Sequence, residues 1–171
     1  MFLPLLLAAV VGYLLGALPF GWLISRKFGI NIFEHGSKNP GATNVKRVLG
    51  EKFGKRGKRA GDVAFTLDAL KGAAAAGWPV FIGGEHIVAM QLTGLVFALI
   101  GHSFSCWTRF KGGKGVATTA GGLLVLLPLP TVFAVIAWIA TFYASRYVSL
   151  ASIVSAVVLP LSAWLVPGVP C

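Results

Sequence analysis

The sequence has few charged residues. Only 12% of its 171 residues are charged, against roughly a quarter in soluble globular domains. Acidic residues are the scarcest, since five Asp and Glu oppose 15 Lys and Arg for a formal net charge of +10. Hydrophobic residues make up 56% of the chain, and the mean hydropathy is +0.81. This composition excludes an ordinary soluble domain and predicts a membrane protein with basic cytoplasmic loops.

Cysteine is also scarce, and two common site motifs are missing. Cys106 and Cys171 supply neither a disulfide framework nor a metal-ligand spacing, so we expect no metal and no cofactor. The Gly-x-x-x-x-Gly-Lys-Ser/Thr pattern of phosphate-binding nucleotide hydrolases does not occur either. These absences direct attention to the apolar segments and to the polar stretches that separate them.

Six apolar segments predict an all-α, polytopic helical membrane protein. The first, Met1 to Ile24, has no basic start and no small-residue cleavage site, which argues against a removable signal peptide. Within it, Gly12 and Gly16 predict close helix packing, and Pro19 predicts a kink. We expect Pro128 and Pro130 to form a turn. The other segments are Asp62 to Ile82, Ile87 to His102, Val116 to Leu127, Thr131 to Ala144 and Leu150 to Val166.

The cations are distributed unevenly among the connections. Ten follow the first segment, three follow the third and one follows the fifth, whereas the turns at 83–86 and 128–130 carry none. The positive-inside rule then places both polar stretches on the cytoplasmic face of the membrane. The cluster from Lys52 to Arg59 has only Phe53 as an aromatic neighbour, so we interpret it as a topology anchor that contacts anionic lipid, and not as a nucleic-acid site.

The first polar stretch, residues 36–47, reads Gly-Ser-Lys-Asn-Pro-Gly-Ala-Thr-Asn-Val-Lys-Arg. Its glycines and proline predict turns, and its Ser, Thr and Asn side chains can cap a helix or donate to an anion. Arg47 adds a planar fork of donors suited to phosphate or carboxylate. The stretch is therefore either a phosphate-holding loop or a capped turn whose cations fix the membrane topology.

The second polar stretch runs from Ser103 to Gly115 and contains the run Arg109-Phe110-Lys111-Gly112-Gly113-Lys114-Gly115. Consecutive backbone N–H groups in such a turn can form a nest for an anion, and the helix predicted to begin at Val116 favours an anion at its N-terminus. Lys111 and Lys114 add point charges. A tight turn between two helices is the alternative interpretation.

Asp68 and Lys71 lie inside the second apolar segment, three residues apart on one helix face. Charges within a membrane segment are costly, so we expect both to face the protein interior or a polar cavity. Either they form a mutually satisfied ion pair, or Lys71 faces the polar site at the cytoplasmic end of the helix.

Five motifs in this order and spacing, spread over nearly the whole chain, carry a specific resemblance. They are Gly36-Ser37-x-Asn39-x-Gly41-Ala42-Thr43-Asn44-Val45-x-Arg47, Asp68-x-x-Lys71-Gly72, Gly101-His102, Phe110-Lys111-Gly112-Gly113-Lys114-Gly115-Val116-Ala117-Thr118 and Arg146-Tyr147-Val148-Ser149-Leu150-Ala151-Ser152. Together they resemble the bacterial membrane-embedded glycerol-3-phosphate acyltransferases that use acyl phosphate as donor. The resemblance implies one integral-membrane domain over residues 1–171.

The resemblance implies that the fatty acyl group of acyl phosphate passes to sn-glycerol 3-phosphate, giving lysophosphatidic acid and phosphate. This is the first acylation of phospholipid synthesis, so the expected partners are these two substrates, membrane lipid and an upstream enzyme that produces acyl phosphate. Other glycerolipid acyltransferases use a His-x-x-x-x-Asp dyad, which is missing here, because Pro40, Gln91 and Trp107 follow the three histidines at that distance. With no evident side-chain base, we hypothesise that the donor's own phosphate accepts the proton of the glycerol hydroxyl.

The resemblance also assigns site residues. Ser37, Arg47 and Lys114 are expected to hold glycerol phosphate as the catalytic set. Gly112, Gly113 and Gly115 are expected to cradle acyl phosphate, with Lys111 supporting the same loop. Further expected substrate-binding residues are Gly36, Asn39, Gly41, Thr43, Asn44, Lys71 and His102.

The chain departs from the family pattern at three places. Ser105-Cys106 stands where family members commonly have a Pro, the basic run from Lys52 to Arg59 is enlarged, and the chain stops at Cys171. The family has a seventh membrane segment and a later motif with a His and an Asn, so we expect this chain by itself to be weakly active or inactive. Two alternatives remain open: a small-anion transporter, and a shortened homologue that binds ligand without turnover.

Overall fold

The structure is a computed structural model that describes residues 2–166, apart from the side chain of Val148. Every regular element in this range is helical, and no strand occurs in it, which confirms the all-α prediction. Short 3-10 turns occur at Ile32–Glu34, Trp78–Phe81 and Cys106–Thr108. The α-helices are α1 (Phe2–Ala17), α2 (Phe20–Lys27), α3 (Ala42–Gly77), α4 (Ile87–Ser103), α5 (Val116–Leu126), α6 (Pro128–Ser145) and α7 (Val148–Leu165).

Among the described residues 2–166, three helical regions are long and apolar enough to cross a membrane: Phe2–Lys27, Ile87–Thr108 and Pro128–Ser145. Val116–Leu126 and Ser149–Leu165 are shorter apolar helices. The predicted second segment lies in the C-terminal part of α3 and in the 3-10 turn that follows it. The turn predicted at residues 83–86 is present, with positive φ angles at Gly83 and Gly84.

The chain divides into two compact units, Met1–Gly122 and Leu123–Cys171. In the second unit, α6 and α7 pack together, and Ser155 Oγ donates to the Ala134 carbonyl at 3.0 Å. Pro128 and Pro130 mark the predicted break between helices, since α5 ends at Leu126 and α6 begins at Pro128, but both prolines lie in the first turn of α6 and not in the connection. A helix tolerates proline there since the first N–H groups have no partner within the helix.

Small residues allow the helices of the first unit to approach closely. A Cβ atom added at Gly12 would lie 2.3 Å from the Gly94 carbonyl oxygen, and one at Gly16 would lie 2.0 Å from that of Ala98. The large apolar side chains of α1, such as Phe2 and Leu3, are exposed instead. This arrangement, with small residues inside and large ones outside, is typical of helices that pack within lipid.

Pro19 interrupts the first membrane segment, as predicted. Helix α1 ends at Ala17 and α2 begins at Phe20, so backbone carbonyls at the break are free to accept bonds from elsewhere. Ser105 Oγ donates to the Ala17 carbonyl at 2.5 Å, and Lys71 Nζ donates to the Leu18 carbonyl at 2.8 Å. The break therefore joins α1 to α3 and to the segment after α4.

Helix α3 folds back on itself at Gly54, whose φ of 57° and ψ of −134° are strongly unfavourable for other residues. Lys46 Nζ in the first arm (residues 42–53) lies 2.7 Å from Asp62 Oδ1 in the second arm (residues 55–77). A Cβ at Gly57 would lie 1.9 Å from the Leu49 carbonyl oxygen. Seven of the ten cations that follow the first segment thus lie on a helical hairpin.

An apolar cluster supports this hairpin. Its buried members are Ile32, Val45, Val48, Leu49 and Ala64, with partly buried aromatic residues packed around them. The Phe28 ring lies 5.1 Å from that of Phe53, and the Arg56 guanidinium lies 5.5 Å above the Phe28 ring. Phe53 is the only aromatic neighbour of the basic cluster in the sequence, but folding brings a second ring, Phe28, to it from another element.

Candidate active site

The two polar stretches meet in space. Asn39 Nδ2 donates to the Gly112 carbonyl at 3.4 Å, which joins residues 73 positions apart in the sequence. The same Asn39 accepts from the Gly41 N–H through Oδ1 at 2.8 Å, so its side chain also shapes the turn that leads into α3. The side-chain amide of Asn39 thus connects the start of α3 to residues 109–115, which we call the glycine-rich turn.

Asn44 organises the first stretch from the first turn of α3. Its Nδ2 donates to the carbonyls of His35 at 3.1 Å and Asn39 at 2.9 Å. Its Oδ1 accepts from the Ser37 backbone N–H at 2.9 Å and from Arg47 Nη2 at 2.8 Å. Because Asn44 is buried and holds residues on both sides of the turn, the stretch has a defined conformation.

The exposed side of this stretch opens into a groove of about 750 Å³ on the α3 hairpin. Thr43 and Arg47 line it, together with Lys46, Lys58 and Asp62. Gly36 lies against the same guanidinium, since a Cβ added there would come within 2.9 Å of Arg47 Nη2. Gly36 has a φ of +58°, which is a second reason why a larger residue would disturb the turn.

Some backbone N–H and carbonyl groups of the glycine-rich turn already form hydrogen bonds within the protein. The Gly113 N–H donates to the His102 carbonyl at 3.1 Å, and the Lys111 N–H donates to the Thr108 carbonyl at 3.1 Å. Thr108 Oγ1 in turn donates to the Lys111 carbonyl at 2.5 Å. The N–H groups of Lys111 and Gly113 therefore already have partners, so an anion nest in this turn would have to use its other N–H groups.

The turn packs directly onto His102 at the end of α4. A Cβ at Gly113 would lie 2.2 Å from His102 Nε2, and one at Gly112 would lie 2.0 Å from the His102 carbonyl oxygen. Gly115 has a φ of +74°, and a Cβ there would lie 2.0 Å from Leu99 Cδ1. The three glycines thus let the turn lie against α4. Helix α5 then begins at Val116, as predicted.

A buried polar cluster lies beneath the turn. Lys71 Nζ is 2.8 Å from Asp68 Oδ1, with side-chain exposures of 2% and 4%. His102 Nδ1 is 3.7 Å from the same carboxylate oxygen and 3.3 Å from Thr118 Oγ1. Lys71 thus belongs to a buried ion pair and also borders the cavity beneath the polar stretches.

A narrow cavity joins this cluster to the two polar stretches. Its polar lining includes Lys71, Asp68, His102 and Lys111, together with the backbone of Gly112 and Gly113. Pro40 of the first stretch and the break between α1 and α2 close it on other sides. The cavity has a volume of about 10 Å³. It brings Lys111 and backbone dipoles, which can stabilise an anion, next to a Lys71 charge that Asp68 already balances.

Not all of the predicted site residues border this cavity. Ser37 and Lys114 are exposed and line neither the cavity nor the groove. The Lys114 side chain forms no hydrogen bond or ion pair with any residue in the described range of 2–166. Ser37 is linked to Arg47 through Asn44, whereas no contact connects Lys114 to either residue.

Sequence reasoning missed several polar contributors. Ser105 is buried and bonds to the Ala17 carbonyl, and Thr118 is buried beside His102. Tyr13 OH donates to the Phe104 carbonyl at 3.0 Å. For Ser105 and Thr118, the available signal was a hydroxyl residue near the end of an apolar segment, and for Tyr13 it was a hydroxyl group inside one, where buried polar groups need partners.

The chain matches known proteins over nearly all of its length. A family model described as glycerol-3-phosphate acyltransferase matches residues 6–171. Glycerol-3-phosphate acyltransferase 1 of Rhizobium johnstonii is 42% identical over 167 residues, which cover 95% of this chain and 75% of that protein. Glycerol-3-phosphate acyltransferase 2 of Moorella thermoacetica is 41% identical over 156 residues, covering 91% of this chain and 75% of that protein.

Two solved structures have folds similar to that of this chain. The crystal structure of PlsY, an integral membrane glycerol 3-phosphate acyltransferase, in its glycerol 3-phosphate form has a TM-score of 0.79 and 34% identity, covering 97% of this chain and 78% of that one. The lysophosphatidic acid form of the same protein has a TM-score of 0.78 and 35% identity, with the same coverage.

Proposed function

This chain belongs to the glycerol-3-phosphate acyltransferase family, and we propose that it transfers a fatty acyl group from acyl phosphate to sn-glycerol 3-phosphate. The products are 1-acyl-sn-glycerol 3-phosphate (lysophosphatidic acid) and phosphate. The observation that carries the proposal is the contact of Asn39 with Gly112, which brings the two anion-prone stretches to one cavity beside a buried ammonium group. Both substrates carry phosphate, so a site with two neighbouring cationic regions fits them.

The two polar stretches have different roles in the proposal. Arg47, with Ser37 and Lys114, holds the phosphate of the acceptor, while Gly36, Asn39, Gly41, Thr43 and Asn44 form the turn that positions Arg47. Gly112, Gly113 and Gly115, with Lys111 beside them, hold the phosphate of the donor, and Lys71 and His102 support that loop from below. The geometry favours this division, since Arg47 opens to the groove whereas Lys71 borders the cavity under the glycine-rich turn.

The chemistry requires positioning more than it requires a reactive side chain. Acyl phosphate is already activated, so the hydroxyl oxygen of glycerol phosphate forms an ester bond to the acyl carbon as the bond from that carbon to the phosphate oxygen breaks. The protein must align the two reactants and stabilise the charge of the departing phosphate. Lys71, Lys111 and the unpaired backbone donors of the glycine-rich turn are suited to that task.

The proton of the attacking hydroxyl passes to the donor's phosphate in this proposal. His102 is an unsuitable base because its ring is enclosed: Nδ1 faces Thr118 and Asp68, and Nε2 packs against Gly113. A pH–rate profile of acyl transfer tests this step. A His102→Ala variant that inserts correctly should keep the shape of the wild-type profile, and loss of one titration from the profile would assign the proton to His102.

We also propose that both polar stretches face the cytoplasm of a bacterial plasma membrane, where glycerol 3-phosphate is dissolved, and that residues 1–171 act as one multi-pass domain. The distribution of cations supports this orientation. Cys106 is exposed just before the glycine-rich turn, so a membrane-impermeant thiol reagent should label it from the cytoplasmic side only. Labelling from the other side would reverse the orientation. The other thiol, Cys171, lies outside the described residues.

The test of the function is phosphate release from acyl phosphate in lipid vesicles that contain only this chain. Release should depend on glycerol 3-phosphate and should be matched by formation of lysophosphatidic acid. Phosphate flux across the vesicle membrane without acyl transfer would select the transporter alternative. Binding of glycerol 3-phosphate without turnover would select the inactive homologue.

A further inference from the structure

Asp68 is a buried carboxylate to which the proposed reaction gives no direct role. It lies on α3 between Lys71 and His102, and its side chain is 4% exposed. Its Oδ1 receives no well-aligned hydrogen bond from the described residues, although Lys71 Nζ is only 2.8 Å away. Burying such a pair is costly, and well-packed apolar residues are often as stable or more stable in its place. Stability alone therefore does not explain why a carboxylate lies here.

We infer that Asp68 is a positioning residue that fixes His102 and Lys71 beneath the glycine-rich turn. The inference rests on the proposed function, because it assigns Asp68 to the donor half of that site. His102 is the connecting piece: its Nδ1 edge faces the Asp68 carboxylate at 3.7 Å, and its Nε2 edge packs against Gly113. A shift of the ring would move the turn, since the His102 carbonyl also accepts the Gly113 N–H.

The same carboxylate sets the place of Lys71. The ammonium group is held on one side by Asp68 and on another by the Leu18 carbonyl at the Pro19 break, 2.8 Å away. It also lies 5.7 Å from the centroid of the Phe20 ring. Without the carboxylate, only a neutral carbonyl and a ring face would hold the charge, so its position within the cavity would be less defined.

Close helix packing makes this arrangement rigid. A Cβ at Gly72 would lie 1.9 Å from the Thr118 carbonyl oxygen, and one at Gly121 would lie 1.9 Å from that of Ala69. Helices α3 and α5 are therefore in backbone contact at the level of the cluster. A Cβ at Gly94 would likewise lie 2.3 Å from the Ala75 carbonyl oxygen, so α4, which carries His102, is also in backbone contact with α3. Asp68 and His102 thus lie on helices that cannot move apart without breaking this second contact, which is the requirement for a positioning residue.

The experiment compares Asp68→Asn with wild type in vesicles, with Glu85→Gln as a matched control. Asn has nearly the same shape and removes only the charge, and Glu85 is exposed in the turn before α4. We expect Asp68→Asn to lower kcat about 10- to 100-fold, the loss produced by a displacement of roughly 1 Å, while KM for glycerol 3-phosphate changes less than about threefold. Glu85→Gln should leave both unchanged.

Hydrogen–deuterium exchange supplies a second measurement that does not depend on activity. In Asp68→Asn we expect faster exchange in peptides covering residues 109–115 and unchanged exchange in the first arm of α3, residues 42–53. Should Asp68→Asn fail to insert, Asp68→Asn with Lys71→Gln leaves no unpaired charge, and the same local change is expected in that double variant.

Three results would overturn the inference. The first is a wild-type kcat in Asp68→Asn. The second is hydrogen–deuterium exchange that rises equally in residues 109–115 and 42–53. The third is a loss of kcat/KM that comes entirely from a higher KM for glycerol 3-phosphate. The second would indicate general destabilisation, and the third would place Asp68 in direct contact with the acceptor. If the wild-type chain shows no acyl transfer, the proposed function fails, and the exchange measurement alone still decides whether Asp68 positions the turn.

Discussion

Helix α3 carries two Lys–Asp ion pairs with nearly the same length and opposite surroundings. Lys46 and Asp62 are 2.7 Å apart with side-chain exposures of 50% and 59%, whereas Lys71 and Asp68 are 2.8 Å apart and 2% and 4% exposed. Exposed pairs contribute little because water and salt screen them. In a buried pair, each charge depends on its partner. Helix α3 therefore carries one ion pair that is screened by solvent and one in which removal of either partner leaves a buried charge.

Glycines decide which pair is covered. Gly57 and Gly61 let the two arms of the α3 hairpin pack together, and the Lys46–Asp62 pair joins the arms on a face that remains open. Gly72 lets α5 pack against α3 next to the Lys71–Asp68 pair, and Leu18 and Phe20 at the Pro19 break and His102 of α4 contact the pair itself. The difference between the pairs thus comes from the neighbouring helices and not from the charged residues themselves.

The largest expected effect comes from breaking the buried pair. Lys71→Met leaves the Asp68 carboxylate buried without a counter-charge, and we expect a loss of about 3–5 kcal/mol in the free energy of unfolding. Chemical denaturation in detergent micelles measures it. The matched control, Lys46→Met, should lose no more than about 1 kcal/mol. Similar losses in the two variants would contradict the comparison.

The next effect tests the contact between the buried cluster and the glycine-rich turn. In Gly113→Val, the new Cβ would lie 2.2 Å from His102 Nε2, so the turn must move away from the ring. We expect turnover to fall at least about 100-fold, because the donor phosphate would be misplaced, while membrane insertion persists. Near-normal turnover in a correctly inserted variant would remove Gly113 from the phosphate site.

A smaller effect is expected at Arg47, beside the exposed pair. Arg47→Lys keeps the charge and removes the bidentate geometry, so KM for glycerol 3-phosphate should rise about tenfold and that for acyl phosphate should change less. Lys46→Arg is the matched control on the adjacent residue and should change neither value. An equal rise for both substrates in Arg47→Lys would assign the residue to folding or general charge.

The smallest effect is expected from the exposed pair itself. Asp62→Asn should cost about 0.2–1 kcal/mol of unfolding free energy at low salt. At 1 M salt the Debye length is about 3 Å, so the difference from wild type should nearly vanish. Denaturation at the two salt concentrations measures it. A loss of several kcal/mol, or one that salt does not alter, would show that this pair is shielded from solvent.

The sequence predicted much of the fold because membrane segments follow from composition and periodicity. The helical class, the interruption at Pro19, the close approach at Gly12 and Gly16, and the shared face of Asp68 and Lys71 all hold. At Pro128 and Pro130 it predicted the break between helices but not that both prolines begin α6, since proline is compatible with a turn and with the first turn of a helix. It also missed the α3 hairpin, because a lone glycine such as Gly54 gives no sign of a full reversal.

The sequence by itself determined which residue types are available: apolar segments long enough for a membrane, two cationic stretches and one charged pair between them. Only the tertiary structure decided how these parts combine. It brought Asn39 to Gly112, placed His102 beneath Gly113 and gave Lys71 a carbonyl from the Pro19 break. These contacts join residues far apart in the sequence, and they depend on backbone approach distances that local patterns do not encode.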